Sequence, residues 1–357
     1  MIAEPAVDVV IAVHDPSRAV DRAVRSVFDA VASVRVTVVC HGIEAHSLTL
    51  DPRTRSDERL RLVEFADGIR SPAGPFNHGL SLASAQFVSI MGSDDFLEPG
   101  AIGGWLAEAR SSRADMVMAP VRMQNGEPMR APLVRPWRQR GLNAVKDRLF
   151  YRSAPLGLIR RALVEERQLV LTEGLRSGED LAVSARLYSD AIRISLPRSA
   201  PRYVVGMDAQ SRVTTAVMSV SEALAAIDDL LAREWVQELS RSMRRALGIK
   251  LLRTHLLNTA LARPTAGQWD AESLSLLRRC ATEVVRFAPA ALIPLCRADR
   301  RLLGVILAPV SDAQALVEAI SARSRSARID TVLPNSVLHA FDRESVLVRY
   351  LLYALKR

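Results

Sequence analysis

From residue 7 the chain alternates short apolar runs with helical periodicities. Val7 to Val13 (VDVVIAV) has the pattern of a buried strand, and Ser17 then caps a predicted helix whose Val20, Val24, Val27 and Val31 recur on one face. Val34 to Val39 reads as a second strand and Leu60 to Phe65, with its alternating apolar residues, as a third. A short helix is expected over Gly79 to Gln86 and a fourth strand over Phe87 to Met91. Glu98 and Pro99 open a further helix carrying Ile102, Trp105, Leu106 and Ala109. Strand and helix units alternating at this spacing predict an α/β fold, a mostly parallel sheet with helices on both faces.

The next stretch is mixed. Asp115 to Ala119, Ile192 to Leu196 and Tyr203 to Val205 read as strands, Leu142 to Phe150 and Arg160 to Gln168 as helical, and Gln124 to Pro136 as a loop rich in Pro, Gly and Arg. Past about Thr215 the texture changes: Leu224, Ile227, Leu231, Trp235, Leu239 and Met243 recur at the steps of one long amphipathic helix, and helical segments continue from there. A chain of 357 residues exceeds what one core usually covers, so we expect two domains, 1–215 (α/β) and 216–357 (helical).

Composition narrows the classes. With 49% hydrophobic and 24% charged residues the chain is an ordinary folding sequence rather than a disordered or fibrous one. The net charge of +9 invites a nucleic-acid reading, but 45 of the 48 cations are arginines, a skew that GC-rich coding produces by itself. Aromatic residues are only 5%, too few to interleave a basic binding face, so no nucleic acid is expected as a partner. Cys40, Cys280 and Cys296 are too scattered for a disulfide framework or a zinc site, which points to a reducing, cytoplasmic setting. The first residues lack the basic region of a signal peptide, and no apolar run approaches the ~20 residues of a spanning helix.

Three strings carry candidate chemistry. Met91-Gly92-Ser93-Asp94-Asp95-Phe96 places paired carboxylates directly after an apolar strand, where ligands bind in open α/β sheets; such hard oxygen donors suit Mg²⁺ or Mn²⁺. An Asp-rich turn before a helix is the plainer alternative. Ser177-Gly178-Glu179-Asp180-Leu181 offers two more carboxylates before an apolar helix, and is equally an ordinary helix start. Phe76-Asn77-His78-Gly79 reads as a loop-to-helix junction where backbone amides and Asn77 could meet a diphosphate, or where Asn77 is simply an N-cap.

Taken in order, these strings resemble family 2 glycosyltransferases of the GT-A fold. The resemblance rests on VDVVIAVHDPSRAVDRAVRSVF, on Gly74 to Asp95 with the following FLEPGAI, on SGEDL and on YVVGMDAQSRVT, and covers about residues 1–215. It implies a nucleotide-sugar half over 1–100 and an acceptor half over 101–215, followed by the helical domain. It also implies an inverting transfer of sugar from a nucleotide-diphosphate donor, a UDP-sugar, to a hydroxyl of a cell-envelope or capsular glycan or lipid-linked acceptor. On the family's pattern Asp94 binds the Mn²⁺ or Mg²⁺ ion, Asp95 supports the same ion, Asp180 is the general base and Glu179 orients it or the acceptor. The sequence departs from that pattern at Cys40-His41-Gly42, where a nucleoside-reading aspartate is usual, and at Gly92, the first position of the DxD motif. His14, Asp15, His41, Asp67, Asn77 and Ser93 are therefore the candidate donor contacts, and Asp208 a candidate metal ligand or turn cap. Arg130, Arg135, Arg138 and Arg140 crowd the loop expected on the acceptor side, to grip a phosphate-bearing acceptor or to sit solvated. A non-catalytic nucleotide-sugar-binding or scaffold protein is the alternative that Cys40 and Gly92 suggest. For 216–357 the plain expectation is helices packed on their apolar stripes, and the sharper one is peripheral attachment to an anionic membrane.

Overall fold

The structure, a computed structural model, describes residues 4–29, 33–129, 131–190, 192–208, 218–310 and 312–355. The chain divides into two compact units: Met1–Ala131, Trp137–Asn143 and Arg152–Ala216 form the first, and Pro132–Pro136, Ala144–Tyr151 and Val217–Arg357 the second. The passage expected between the domains, at 215/216, falls outside the described residues.

The first unit is built on β1 (Val7–Val13), β2 (Val34–His41), β3 (Leu60–Phe65), β4 (Phe87–Gly92), β5 (Phe96–Leu97), β6 (Met116–Met118), β7 (Val121–Met123), β8 (Gly157–Arg160), β9 (Ile194–Ser195) and β10 (Tyr203–Val205). Its helices are α1 (Val20–Phe28), α2 (Pro52–Arg55), α3 (Ala73–Ser81), α4 (Ala101–Ser112), α5 (Arg161–Glu166) and α6 (Leu181–Ser189). One sheet runs β3-β2-β1-β4-β8-β6-β9, with β1, β2, β3 and β4 parallel and β8 antiparallel to both neighbours; a second sheet runs β5-β10-β7. Val7, Val9, Val10, Ile11 and Val13 are all buried, as a central strand covered on both faces requires. The chain leaves β1 outward through β2 and β3, then returns to β4 on the other side of β1. That reversal places the switch point of the sheet between the carboxyl ends of β1 and β4.

Asp8 is the polar exception within β1. Arg35 forks its carboxylate at 2.6 and 2.8 Å, and the Ser84 and Ala85 amides donate at 2.7 and 2.8 Å. Burial by itself would raise the Asp8 pKa, but these four bonds hold it below the ordinary value.

Several expected elements differ. The helix predicted over Gly79 to Gln86 is α3, six residues earlier, because Pro75 occupies its first turn, where a missing N–H costs nothing. Ser17 does not cap α1; Ala19 holds that position, and Ser17 bonds Asp15 instead. Leu142 to Phe150 forms no α-helix, only the start of a 3₁₀ turn at Leu149–Tyr151: Arg148 takes φ +55°, and the Asp147 carboxylate folds back onto Arg135 at 2.7 Å. The segment from Gly157 contributes β8 before it turns helical.

In the second unit the expected long helix is broken. α7 (Val220–Ala232) buries Leu224, Ile227 and Leu231, α8 (Glu234–Gln237) holds Trp235, and Ser240 caps α9 (Arg241–Leu251) by accepting from the Met243 amide. Arg233, with extended dihedrals, stops α7 and starts α8, and Ser240, also outside the helical region, starts α9. A π-helical turn at Leu252–Leu256 leads into α10 (Leu257–Leu261), followed by α11 (Ala271–Phe287), α12 (Arg297–Leu307), α13 (Ala313–Ser324), α14 (Arg328–Val332) and α15 (Val346–Ala354). Asp270, Asp312 and Ser345 cap α11, α13 and α15. No helix among the described residues is long and apolar enough to cross a membrane.

Candidate active site

β4 delivers Gly92, Ser93, Asp94 and Asp95 to the carboxyl edge of the sheet. Asp95 is locked into the turn: the Tyr203 hydroxyl donates to Oδ2 at 2.5 Å and the Gly206 amide to Oδ1 at 2.9 Å, while the same hydroxyl accepts from the Gly92 amide at 3.1 Å. Tyr203 is buried, and that burial, reinforced by the Asp95 charge, raises its phenol well above the ordinary pKa. It is a proton donor fixed for structural use. Asp94 is held from α1 and the turn before it. Its Oδ2 lies 3.0 Å from Arg18 Nη1, and its backbone carbonyl accepts from Arg22 Nη2 at 2.5 Å. Arg22 also forks Asp208 at 2.5 and 3.0 Å and lies over the Phe96 ring at 4.7 Å.

The two glycines here are forced by close approach. A Cβ on Gly92 would lie 2.6 Å from Asp95 Oδ2, and one on Gly206 would lie 1.9 Å from the Asp94 carbonyl oxygen. The missing first aspartate of the DxD motif thus has a physical reason: its space belongs to the braced carboxylate of Asp95. Ser93 is buried within the turn.

The ends of β1, β2 and β3 form the neighbouring wall. Asp15 accepts from the Ser17 amide at 2.9 Å and its hydroxyl at 2.7 Å, bonds that lower its pKa. His14 sits beside it with its pKa lowered, first by burial and then by the Arg18 charge, so the ring is neutral near pH 7. His41 Nε2 meets Asp67 Oδ1 at 2.7 Å, and this bond depresses the Asp67 pKa. Phe65 stacks on His78 with centroids 4.8 Å apart and lies 5.9 Å from His41. His41, Phe65, Asp67 and His78 form a flat, hydrogen-bonding wall where the usual aspartate is absent.

Asn77 is inside α3, so it is neither an N-cap nor at a loop junction. Its amide donates to the Leu171 carbonyl at 3.0 Å and to Glu173 at 3.2 Å, and its oxygen accepts from the Leu171 amide at 2.9 Å. Those bonds fasten to α3 the segment that leads to Glu179 and Asp180. Val183 of α6 and Leu171 share a small apolar cavity with Val88, Ser89 and Ile90 of β4, so this segment lies along the same strand that carries Asp94. Asp180 stands at the N-cap position of α6 without a side-chain cap bond to the helix. Burial first, and the Asp180 charge second, push the Glu179 carboxyl up to about 7.

Arg135 and Arg140 of the expected acceptor loop are committed within the protein, Arg135 to Asp147 and Arg140 to Glu108 at 2.7 and 2.9 Å. The Arg138 carbonyl accepts from Arg198, and Arg130 lies outside the described residues, as do Ser211 and Arg212. A cavity of about 680 Å³ beside α3 and α5 touches Asn77 but none of the paired carboxylates, so it is not the donor cleft. Sequence reasoning missed Arg18, Arg22, Phe65, His78 and Tyr203; the i, i+4 pair Arg18 and Arg22 just before and within α1 was the one available signal.

Among the described residues no three His, Cys, Asp or Glu side chains converge on one point. A hard divalent cation that keeps waters and takes its remaining oxygens from a substrate diphosphate needs only one or two carboxylates. Asp94, accessible on one side of a fixed turn, fits that requirement, whereas both Asp95 oxygens are engaged in bracing.

Residues 9–168 match the family described as "Glycosyl transferase family 2". The poly(ribitol-phosphate) beta-N-acetylglucosaminyltransferase TarS of Staphylococcus aureus is 22% identical over 150 residues, 42% of this chain and 26% of the relative. A poly(ribitol-phosphate) beta-glucosyltransferase of Bacillus spizizenii is 17% identical over 198 residues, 56% of this chain and 31% of that one. The chain thus spans between a quarter and a third of the length of these curated relatives. The crystal structure of S. aureus TarS 1–349 in complex with UDP-GlcNAc superposes with a TM-score of 0.75 at 15% identity, covering 89% of this chain and 91% of that one. The same fragment in complex with UDP gives 0.71. The fold is GT-A with a helical region after it, and residues 9–168 match the model of glycosyl transferase family 2.

Proposed function

We propose that the protein transfers a sugar, with inversion, from a nucleotide-diphosphate donor to a hydroxyl of a cell-envelope glycan, and that the acceptor is a polyol-phosphate polymer of the kind its relatives' names specify. The observation that carries the reading is the Ser93-Asp94-Asp95 turn, fixed from below by Tyr203 and Gly206 and from the side by Arg18 and Arg22 at the switch point of the sheet. A site fixed before the donor arrives loses little to reorganisation.

The residues divide the work. Arg18 and Arg22 set positive charge where a leaving nucleoside diphosphate gains negative charge. A bound Mg²⁺ or Mn²⁺ would be held by Asp94 and would supply Lewis-acid stabilisation of the same charge, while Asp208, both of whose oxygens are forked by Arg22, holds that arginine in place. The stacked Phe65 and His78 with the His41–Asp67 pair offer a face and polar groups to the nucleoside, in place of the family's aspartate. His14 and Asp15 flank the diphosphate side. Asp180 is the base that takes the acceptor proton as the hydroxyl attacks the anomeric carbon from the face opposite the leaving group. Glu179, whose carboxyl burial pushes up to about 7, ionises after its neighbour and so leaves the first negative charge of the pair on Asp180.

Donor hydrolysis and transfer measured across a panel of nucleotide sugars, with and without Mn²⁺, test this. Asp180→Asn should lower turnover by about 10² to 10⁴ while leaving donor affinity nearly unchanged, and Asp94→Ala should lose metal-dependent donor binding. Donor binding without any turnover would move the protein to the nucleotide-sugar-binding scaffold class, and unchanged turnover in Asp180→Asn would remove that residue as the base.

A further inference from the structure

The second unit contains a polar cavity of about 430 Å³ lined by Arg253, Arg323, Arg349, Asp299, Asn258 and Tyr350 over an aliphatic floor. Its volume is that of a small-ligand site. The charges around it do not balance. Glu344, buried, is shared by three guanidinium groups, with Arg148 at 3.3 Å, Arg349 at 3.6 Å and Arg253 at 3.9 Å. Asp299 is taken by Arg323 Nε at 2.8 Å. Four guanidinium groups therefore face two carboxylates, and the remaining bonds of Arg253 go to the neutral Tyr151 hydroxyl at 3.2 Å and the Pro294 carbonyl at 3.0 Å. Arg349 is stacked over the Tyr151 ring at 4.1 Å, and its buried Nη1 meets the Glu344 carboxylate only at 3.6 Å, beyond hydrogen-bond reach. Leaving positive charge half-buried and under-bonded is costly unless an anion completes it.

We propose that this cavity binds a phosphate ester. The three lining arginines come from separate elements: Arg253 from the π-helical turn, Arg323 from α13 and Arg349 from α15. Donors converging from three directions suit a tetrahedral oxyanion better than a planar carboxylate, and guanidinium forks match phosphate oxygens. The Asn258 and Tyr350 side chains, exposed at the mouth, provide neutral polar contacts for the alcohol part of the ester. This pocket lies wholly within the helical unit and does not depend on the catalytic reading.

Titration calorimetry on the full chain tests the proposal with three probes: inorganic phosphate, a short glycerol-phosphate oligomer, and vesicles of phosphatidylglycerol in phosphatidylcholine. At least one should bind, and Arg323→Gln and Arg349→Gln should each weaken that binding about tenfold or more, as loss of a charge-assisted bond predicts. Binding of the oligomer free in solution identifies a polymer phosphate as the ligand, and binding of vesicles alone identifies a lipid headgroup. Asn258→Asp, at an exposed position, puts a carboxylate at the mouth without removing an ion pair, and it should weaken binding even if an arginine variant fails to fold. Unchanged thermal melting and nucleotide-sugar binding in the same variants confirm that the fold is intact. Absence of binding by all three probes, or equal binding by wild type and Asn258→Asp, overturns the proposal.

Discussion

Tyr203 is the residue on which the Ser93-Asp94-Asp95 turn rests, because one hydroxyl serves both the Asp95 carboxylate and the Gly92 amide. Tyr203→Phe leaves a half-buried carboxylate short of a donor, so we expect a loss of about 1.5 to 3 kcal/mol in unfolding free energy together with weaker donor binding, measured by denaturant titration and donor titration. Glu179 gives a pH-dependent prediction. Its folded pKa is raised above that of an unfolded glutamate, so its contribution to stability is fully present below the unfolded value and is lost as pH rises through about 7. Glu179→Gln, which cannot ionise, should therefore melt higher than wild type at pH 8 and show a much smaller difference at pH 5. The same variant should keep most of its turnover at pH 6, where the wild-type carboxyl is already protonated; a pH–rate profile identical to wild type through pH 8 would show that Glu179 does not titrate in the working enzyme. At this scale the sequence revealed acidic residues well, since paired carboxylates after a strand are a local pattern. It did not reveal Tyr203 or His78, which reach the site only through tertiary neighbours.

The elements were legible where periodicity was strong and obscured where it was interrupted by useful exceptions. β1 to β4 follow from their apolar runs, and with them the position of Asp94. α3 was displaced because Gly74 and Pro75 look like helix breakers, whereas a proline in a first turn is harmless. That displacement changes the meaning of Asn77: from the interior of α3 it bonds the Leu171 backbone in both directions and so carries the approach to the Glu179–Asp180 pair. Asn77→Ala should accordingly act as a positioning change. Turnover should fall about tenfold or more with donor affinity little altered, and Asn77→Asp, which keeps the acceptor for the Leu171 amide, should recover part of it. Equal losses of donor affinity and turnover would instead place Asn77 against the donor. β8 and the break in the long helical pattern after Ala232 could not be read from spacing, because both depend on a few residues at a turn rather than on a repeated face.

For the molecule as a whole, the helical unit is where the sequence said least and where surface composition now says more. Residues 216–357 hold six more cations than anions. The stripe expected to pack through α15 does so only in part: Val348 and Leu352 are half-buried, whereas Leu351 is 55% and Leu355 69% exposed, and Leu338 and Phe341, on the turn that packs against α15, are 86% and 78% exposed. Apolar side chains grouped this way on a basic unit, with no crossing helix among the described residues, have the composition of an interfacial membrane contact. A glycosyltransferase whose acceptor is lipid-linked would gain from such a contact, since each cation near an anionic surface contributes about 1 kcal/mol and the apolar groups add their burial. We therefore expect the full chain to cosediment with phosphatidylglycerol-containing vesicles at low salt and to be released partly by 0.5 M salt. A variant combining Leu338→Ser, Phe341→Ser, Leu351→Ser and Leu355→Ser should bind at least tenfold less while melting at the wild-type temperature, because none of these side chains is buried. If wild type stays in the supernatant, or the serine variant sediments equally well, the exposed apolar side chains face something other than a membrane, and the helical unit's role lies in protein contact.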